Sequence, residues 1–231
     1  MCGRYSLTTP VEAMRRLFDF AESPNLAPRY NIAPTQEAPV LRRDEQGGRH
    51  LAQLRWGLIP SWAKDSAIGN RLINARGETV ASKPAFRGAF NARRCLVPAD
   101  GFYEWRAEGG TKQPWRIALA ENGPFAFAGL WERWLDKTEN RPIESFTIVT
   151  TDANEVLRPI HDRMPVILAA GDHECWLASS DPQQLAGLLR PYAGAGLRAY
   201  RVSTAVNSPR NDTPACIAAI DSAPEMQPRL I

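Results

Sequence analysis

The sequence predicts a strand-rich α+β domain with a few short helices. Its 19 prolines are spread along all 231 residues, which favours short elements and many loops over long helices. Short runs rich in β-branched and aromatic residues outnumber the amphipathic helical patterns. No regular strand–helix alternation marks a parallel βαβ sheet.

The elements follow in chain order. Thr9-Pro10-Val11-Glu12 reads as a helix start, with Thr9 as N-cap, proline at the first helical position and Glu12 closing a capping box. Val11, Met14, Leu17 and Phe18 then form one apolar stripe. Strands are expected at 39–43, 51–56, 95–97, 115–119, 125–130, 144–150, 166–169 and 200–203. Asn122-Gly123 is a hairpin-turn signal between two of them. Residues 44–49 and 106–113 read as exposed loops. A short helix is expected at 172–178, and Asp181-Pro182 starts another that carries Leu185, Leu188 and Leu189. No linker divides the chain, so one domain is expected over 1–220, followed by a loose tail at 221–231.

Composition narrows the class. Hydrophobic residues make up 44% and charged residues 23%, as in soluble globular proteins. No apolar run is long enough for a transmembrane helix, and Arg4, Glu12, Arg15 and Arg16 interrupt any signal-peptide core. The four cysteines form no C-x-x-C pair, so neither a metal site nor a redox motif is expected, and no cofactor. Cys95, Cys175 and Cys216 sit beside apolar neighbours and read as small buried hydrophobes. A reducing cytoplasm is the expected compartment. The net charge of +3 points only weakly to nucleic acid. Arginines recur in the distinctive stretches, at Arg4, Arg76, Arg87 and Arg163, and a planar guanidinium suits phosphate.

Cys2 is the first candidate for chemistry. Trimming of Met1 would leave an α-amine and a thiol on adjacent carbons, with reference pKa values of about 7.7–8.0 and about 8.5. Such a group can act as an N-terminal nucleophile, or condense with an aldehyde to an imine that sulfur closes to a thiazolidine. The bland alternative is a residue in a frayed terminus. If extended, the segment after Ile73 places Asn74, Arg76 and Glu78 on one face, as a site or as a polar strand edge. Glu104 stands between Tyr103 and Trp105, and such surroundings raise a carboxyl pKa by desolvation; a structural ion pair is the alternative. His161 and Arg163 face the same way if the chain is extended before Pro165. His161 is then a proton shuttle or a structural hydrogen-bonder. Of the tryptophans in the 56–62 stretch, Trp56 is expected in the core, and Trp62 is the candidate for stacking on a nucleobase.

Together, Met1-Cys2-Gly3-Arg4-Tyr5, Tyr30-Asn31-Ile32-Ala33-Pro34-Thr35, the stretch 56–62, Asn74–Thr79, the stretch 98–105 and Ile160–Pro165 resemble the SOS response-associated peptidase (SRAP) family. The resemblance implies a mostly antiparallel, barrel-like α+β domain with a positively charged groove for single-stranded DNA. It implies action on abasic sites, with Cys2 forming a thiazolidine crosslink to the deoxyribose aldehyde and with self-processing ahead of the cysteine. Carried over, Asn74 would orient the opened sugar or the N-terminus, Glu104 would act as acid/base, and His161 would protonate the ring oxygen. Arg76 and Arg163 would hold flanking phosphates, assisted by Arg4 and Arg87, while Pro34 and Trp62 would pack against the neighbouring base. The protein is expected to work as a monomer, in the cytoplasm at nucleoid DNA. One departure concerns Ala63, where some bacterial members carry a second tryptophan. Two other readings stay open: a cysteine N-terminal-nucleophile peptidase, and a DNA-binding module without chemistry.

Overall fold

The computed structural model describes residues 2–220; the tail expected at 221–231 lies outside the described residues. Among the described residues, thirteen strands and four short α-helices follow in order: β1 (Tyr5–Leu7), α1 (Val11–Phe18), β2 (Arg29–Ile32), β3 (Glu37–Arg43), β4 (Arg49–Trp56), β5 (Asn74–Arg76), α2 (Arg87–Ala92), β6 (Arg94–Ala99), β7 (Gly101–Glu108), β8 (Thr111–Leu119), β9 (Phe125–Asp136), β10 (Arg141–Asp152), β11 (Arg163–Pro165), β12 (Ile167–Leu168), α3 (His173–Ala178), α4 (Pro182–Leu188) and β13 (Leu197–Arg201). The strand-rich, mostly antiparallel and barrel-like architecture expected from the sequence is the one observed.

The larger sheet closes on itself. β10 pairs with β9 and β4, β4 with β3, β3 with β6, and β6 with β9, so five strands form a ring. The long strand β10 organises the site end of this barrel. Along one edge it pairs with β4 and then, in parallel, with β5; along the other it pairs with β9 and then β11. Thr150 is opposite both Arg76 of β5 and Pro165 of β11, which brings the 74–76 and 163–165 segments to either side of one strand. The second sheet is open and antiparallel, in the order β13-β8-β7-β1-β2.

Aromatic side chains fill the space between the two sheets. Trp56 is fully buried as expected, stacked on Phe146 at 6.2 Å between centroids and edge-on to Tyr5 at 5.2 Å. Tyr5 in turn meets Phe127, which also meets Phe102. The N-terminal strand is thus part of the core rather than a frayed end.

Several local expectations are corrected. Helix α1 forms, but without the capping box: Pro10 is its N-cap and no side chain caps it. Thr9 instead turns its hydroxyl and amide to Asp100, whose buried carboxylate wins the donors that would otherwise serve the helix. Residues 106–113 are not a loop but the ends of β7 and β8, joined through Gly109 and Gly110. Both glycines have positive φ, 55° and 81°, the conformation a two-residue hairpin demands at both central positions. The Asn122 turn exists, with φ 56°, but it is not a hairpin, because β8 and β9 run into different sheets. Cys175 is only half-buried, while Cys95 and Cys216 are buried as expected. Strand 166–169 is shorter, at Ile167–Leu168, with β11 ahead of it. The Asp181 cap and Pro182 start of α4 hold as read.

Candidate active site

The site begins with how the chain holds Cys2. Strand β1 lies between β7 and β2, with Tyr5 opposite Phe102 on one side and Ile32 on the other. The buried carboxylate of Asp100 fixes it there. Its Oδ1 accepts from the Ser6 hydroxyl at 2.7 Å and from Arg116 at 3.1 Å; its Oδ2 accepts from the amide and hydroxyl of both Thr8 and Thr9. Gly101 lets this happen, since a Cβ there would stand 2.5 Å from the Arg116 guanidinium carbon. Arg4 continues the anchoring: its Nη1 donates to the Asn31 side chain at 2.8 Å and to the Val206 carbonyl at 2.6 Å, and it lies over Trp105.

Cys2 emerges from this anchored strand fully buried. Asn74 on β5 donates through Nδ2 to the Cys2 carbonyl at 2.9 Å, and its buried Oδ1 accepts no hydrogen bond among the described residues. Glu104, on β7, is 3% exposed. Burial pushes its carboxyl above the usual range, against an opposing attraction to His161. Burial likewise pushes the Cys2 thiol up, and the negative charge of Glu104 adds to that rise. Cys2, Asn74, Glu104 and His161 therefore act on one another although they come from four separate stretches of chain. The Nδ1 of His161 accepts the Arg163 backbone N–H at 2.9 Å. Asp162 Oδ1 is equally close to Nδ1, but that side chain is 87% exposed, and the amide is the better partner. The hydrogen-bond network thereby assigns the ring proton to Nε2.

The arginines differ sharply. Arg76 is exposed, and its guanidinium makes no hydrogen bond or ion pair among the described residues. Arg163 is held by Glu78 through both carboxylate oxygens, at 2.5 and 3.0 Å, and by Asp152 at 2.8 Å. The expected common face of Asn74, Arg76 and Glu78 does not extend that far: β5 ends at Arg76 and a turn follows, which lets Glu78 reach Arg163. Arg87 is exposed and shares a cleft of about 510 Å³ with Trp62, Pro84 and Arg93. Trp62 is the most exposed large apolar side chain among the described residues, at 59%. Pro34 is half-buried beside Thr35, which adopts a positive φ of 72°. A cavity of about 660 Å³ between α1 and the 23–29 segment contains none of the expected residues.

Several residues that shape the site escape sequence reasoning. Asp100, Arg116, Asp152 and Asp212 are ordinary charged residues until the fold brings their partners close. Asp212 accepts from the amides of Tyr30 and Asn31 and from Arg29, and Asn31 donates to three carbonyls at 206, 208 and 211. The segment after Ala170, in which no site motif is read, thus wraps the N-terminal region. Among the described residues no group of His, Cys, Asp or Glu could hold a metal ion, and no helix is long and apolar enough to cross a membrane.

Comparison with known proteins places the chain. Residues 1–209 match the family model described as SOS response associated peptidase (SRAP). The chain is 45% identical over 223 residues to the abasic site processing protein YoqW of Bacillus subtilis, covering 94% of this chain and 99% of that one. It is 32% identical to the abasic site processing protein HMCES of Gallus gallus, over 96% of this chain and 78% of that protein. A crystal structure of a protein from Bacteroides thetaiotaomicron superposes with a TM-score of 0.85 at 28% identity, covering 94% and 99% of the two chains. The protein therefore belongs to the SOS response associated peptidase family.

Proposed function

We propose that this protein captures abasic sites in single-stranded DNA by condensing the amine and thiol of Cys2 with the deoxyribose aldehyde. The observation that carries this reading is the burial of Cys2 with Asn74 on its carbonyl and Glu104 beside its thiol. The names of YoqW and HMCES support DNA with abasic lesions as the substrate.

Removal of Met1 frees the amine. The abasic sugar is mostly a closed hemiacetal; as the ring opens, the proton of the anomeric hydroxyl passes through water to the ring oxygen, which His161 holds with a hydrogen bond from Nε2. The Cys2 nitrogen adds to the aldehyde carbon and forms a carbinolamine. Glu104, whose carboxyl burial pushes above the usual range, gives a proton to the departing hydroxyl, which leaves as water. The Cys2 sulfur then attacks the iminium carbon, its proton passes to the Glu104 carboxylate, and the ring nitrogen becomes a neutral amine. One C–N and one C–S bond replace the C=O bond, with no oxidation or reduction. Asn74 holds the Cys2 backbone still throughout. Arg76 and Arg163 hold the flanking phosphates, assisted by Arg87, and Trp62 and Pro34 pack the adjacent base; each phosphate neutralised on a single strand adds about −0.7 to the log–log salt slope.

The raised thiol pKa favours this reading over a peptidase. A peptidase needs a thiolate at the outset, whereas here sulfur acts second, on an already activated carbon. The test is a denaturing gel with an abasic single-stranded oligonucleotide and protein whose N-terminus has been verified by mass spectrometry. Wild type gives a stable covalent band that Cys2→Ala and Cys2→Ser abolish. A wild-type protein with a free Cys2 amine that gives no band sinks the proposal. Turnover of a peptide in trans, lost with the same substitutions, supports the peptidase instead.

A further inference from the structure

Arg163 has no donor left for a phosphate. Its Nη1 donates to Glu78 Oε1 and to Asp152 Oδ1, and its Nη2 to Glu78 Oε2 and the Thr150 carbonyl at 2.9 Å. Its Nε is buried and unpartnered, out of reach of a ligand. Two of the partners belong to the scaffold: Thr150 and Asp152 lie on β10, and Asp152 is directly opposite Arg163 in the strand register. Glu78 does not. It sits beyond the end of β5, half of its side chain is exposed, and it grips the guanidinium fork along both nitrogens. That two-point grip is the geometry a phosphate uses on arginine. Glu78 also remains anionic at neutral pH, because its hydrogen bonds to Arg163 hold the carboxyl below the usual range.

We infer that Glu78 competes with DNA phosphate for Arg163, so that a strand docks first on the free Arg76 and engages Arg163 only by displacing Glu78. This rests on the reading of these arginines as phosphate contacts. Glu78 thereby weakens binding to any strand, damaged or not, and sets how readily the protein leaves intact DNA. Arg76 is opposite Thr150 on one side of β10, and Arg163, opposite Asp152 on the other side, reaches the Thr150 carbonyl through Nη2, so one strand passing the site meets both.

The test uses an intact, lesion-free single-stranded oligonucleotide and fluorescence anisotropy, so no chemistry is involved. Glu78→Gln keeps the shape and removes the charge. It should tighten binding about two- to fivefold, the range set by an exposed ion pair. The gain should vanish in an Arg163→Ala background. Equal or weaker binding by Glu78→Gln overturns the inference and makes Glu78 a support for Arg163; so does a gain that persists without Arg163, which would reflect only the change in net charge. The covalent gel assay keeps the two proposals apart. A wild-type protein that forms no crosslink, with the Arg163-dependent gain intact, removes the proposed chemistry and leaves this competition standing.

Discussion

Replacing Asp100 with asparagine tests how the fold delivers Cys2. Every partner of this carboxylate is a donor: Ser6 and Arg116 on Oδ1, and the amides and hydroxyls of Thr8 and Thr9 on Oδ2. An asparagine amide must point its NH₂ at one of these sets, whichever way it flips, so at least one buried donor faces another donor. Arg116, with side-chain exposure of 6%, also loses its counter-ion. Breaking one partner of a buried pair costs about 3–5 kcal/mol. For a domain of this size each kcal/mol moves Tm by about 2–4 °C, so Asp100→Asn should melt at least roughly 6 °C below wild type. Urea denaturation and thermal melts followed by circular dichroism read this directly. Because the lost bonds tether the 6–9 segment, covalent capture of an abasic oligonucleotide should slow more than intact-strand binding weakens. A variant as stable as wild type would refute the view that this ion pair pins β1, and equal losses in binding and capture would refute its link to Cys2.

Two predictions concern pH. His173 is buried against Phe18, and burial and the nearby Arg49 hold its pKa down to about 4, against 6.5 for a free side chain. The unfolded chain therefore takes up a proton that the native state refuses, so stability from this group is fully present above pH 6.5 and is lost as pH falls towards about 4. His173→Gln should flatten that acid limb by an amount on the order of 3 kcal/mol, read from urea midpoints at neutral and acid pH; parallel losses in both proteins would contradict it. Glu104 has the opposite sign. Its native pKa lies above the unfolded value of 4.5, so the native state binds the extra proton and wild-type stability falls as pH rises from 4.5 through the raised value. Glu104→Gln should remove this fall and gain on wild type with increasing pH, while slowing covalent capture; a stability difference that does not change with pH would count against the raised carboxyl.

The legible part of this protein was local. Proline spacing, β-branched runs and the Asp181 cap report on a few neighbouring residues, and the strands and α4 formed close to where those signals place them. Where the signal was short or shared, it misled: Tyr5–Leu7 is too brief to show a period, and Thr9 has the features of a helix cap but serves Asp100 instead. The Gly109-Gly110 pair carried a hairpin signal that its polar neighbours concealed.

By itself the sequence determined which chemistry is available: a thiol beside a potential free amine at Cys2, a carboxyl among aromatics at Glu104, a histidine before Arg163, and arginines suited to phosphate. Tertiary structure alone decided which of these groups meet and in what state. Closure of the ring through β10 sets β5 and β11 on either side of Thr150, and the insertion of β1 between β7 and β2 buries Cys2 beside Glu104. It also decided that Arg76 is free while Arg163 is gripped by Glu78, 85 residues away in the chain. The physical reason is that charge pairing and desolvation depend on distance and solvent access in space, and neither is encoded in the spacing of residues along the chain.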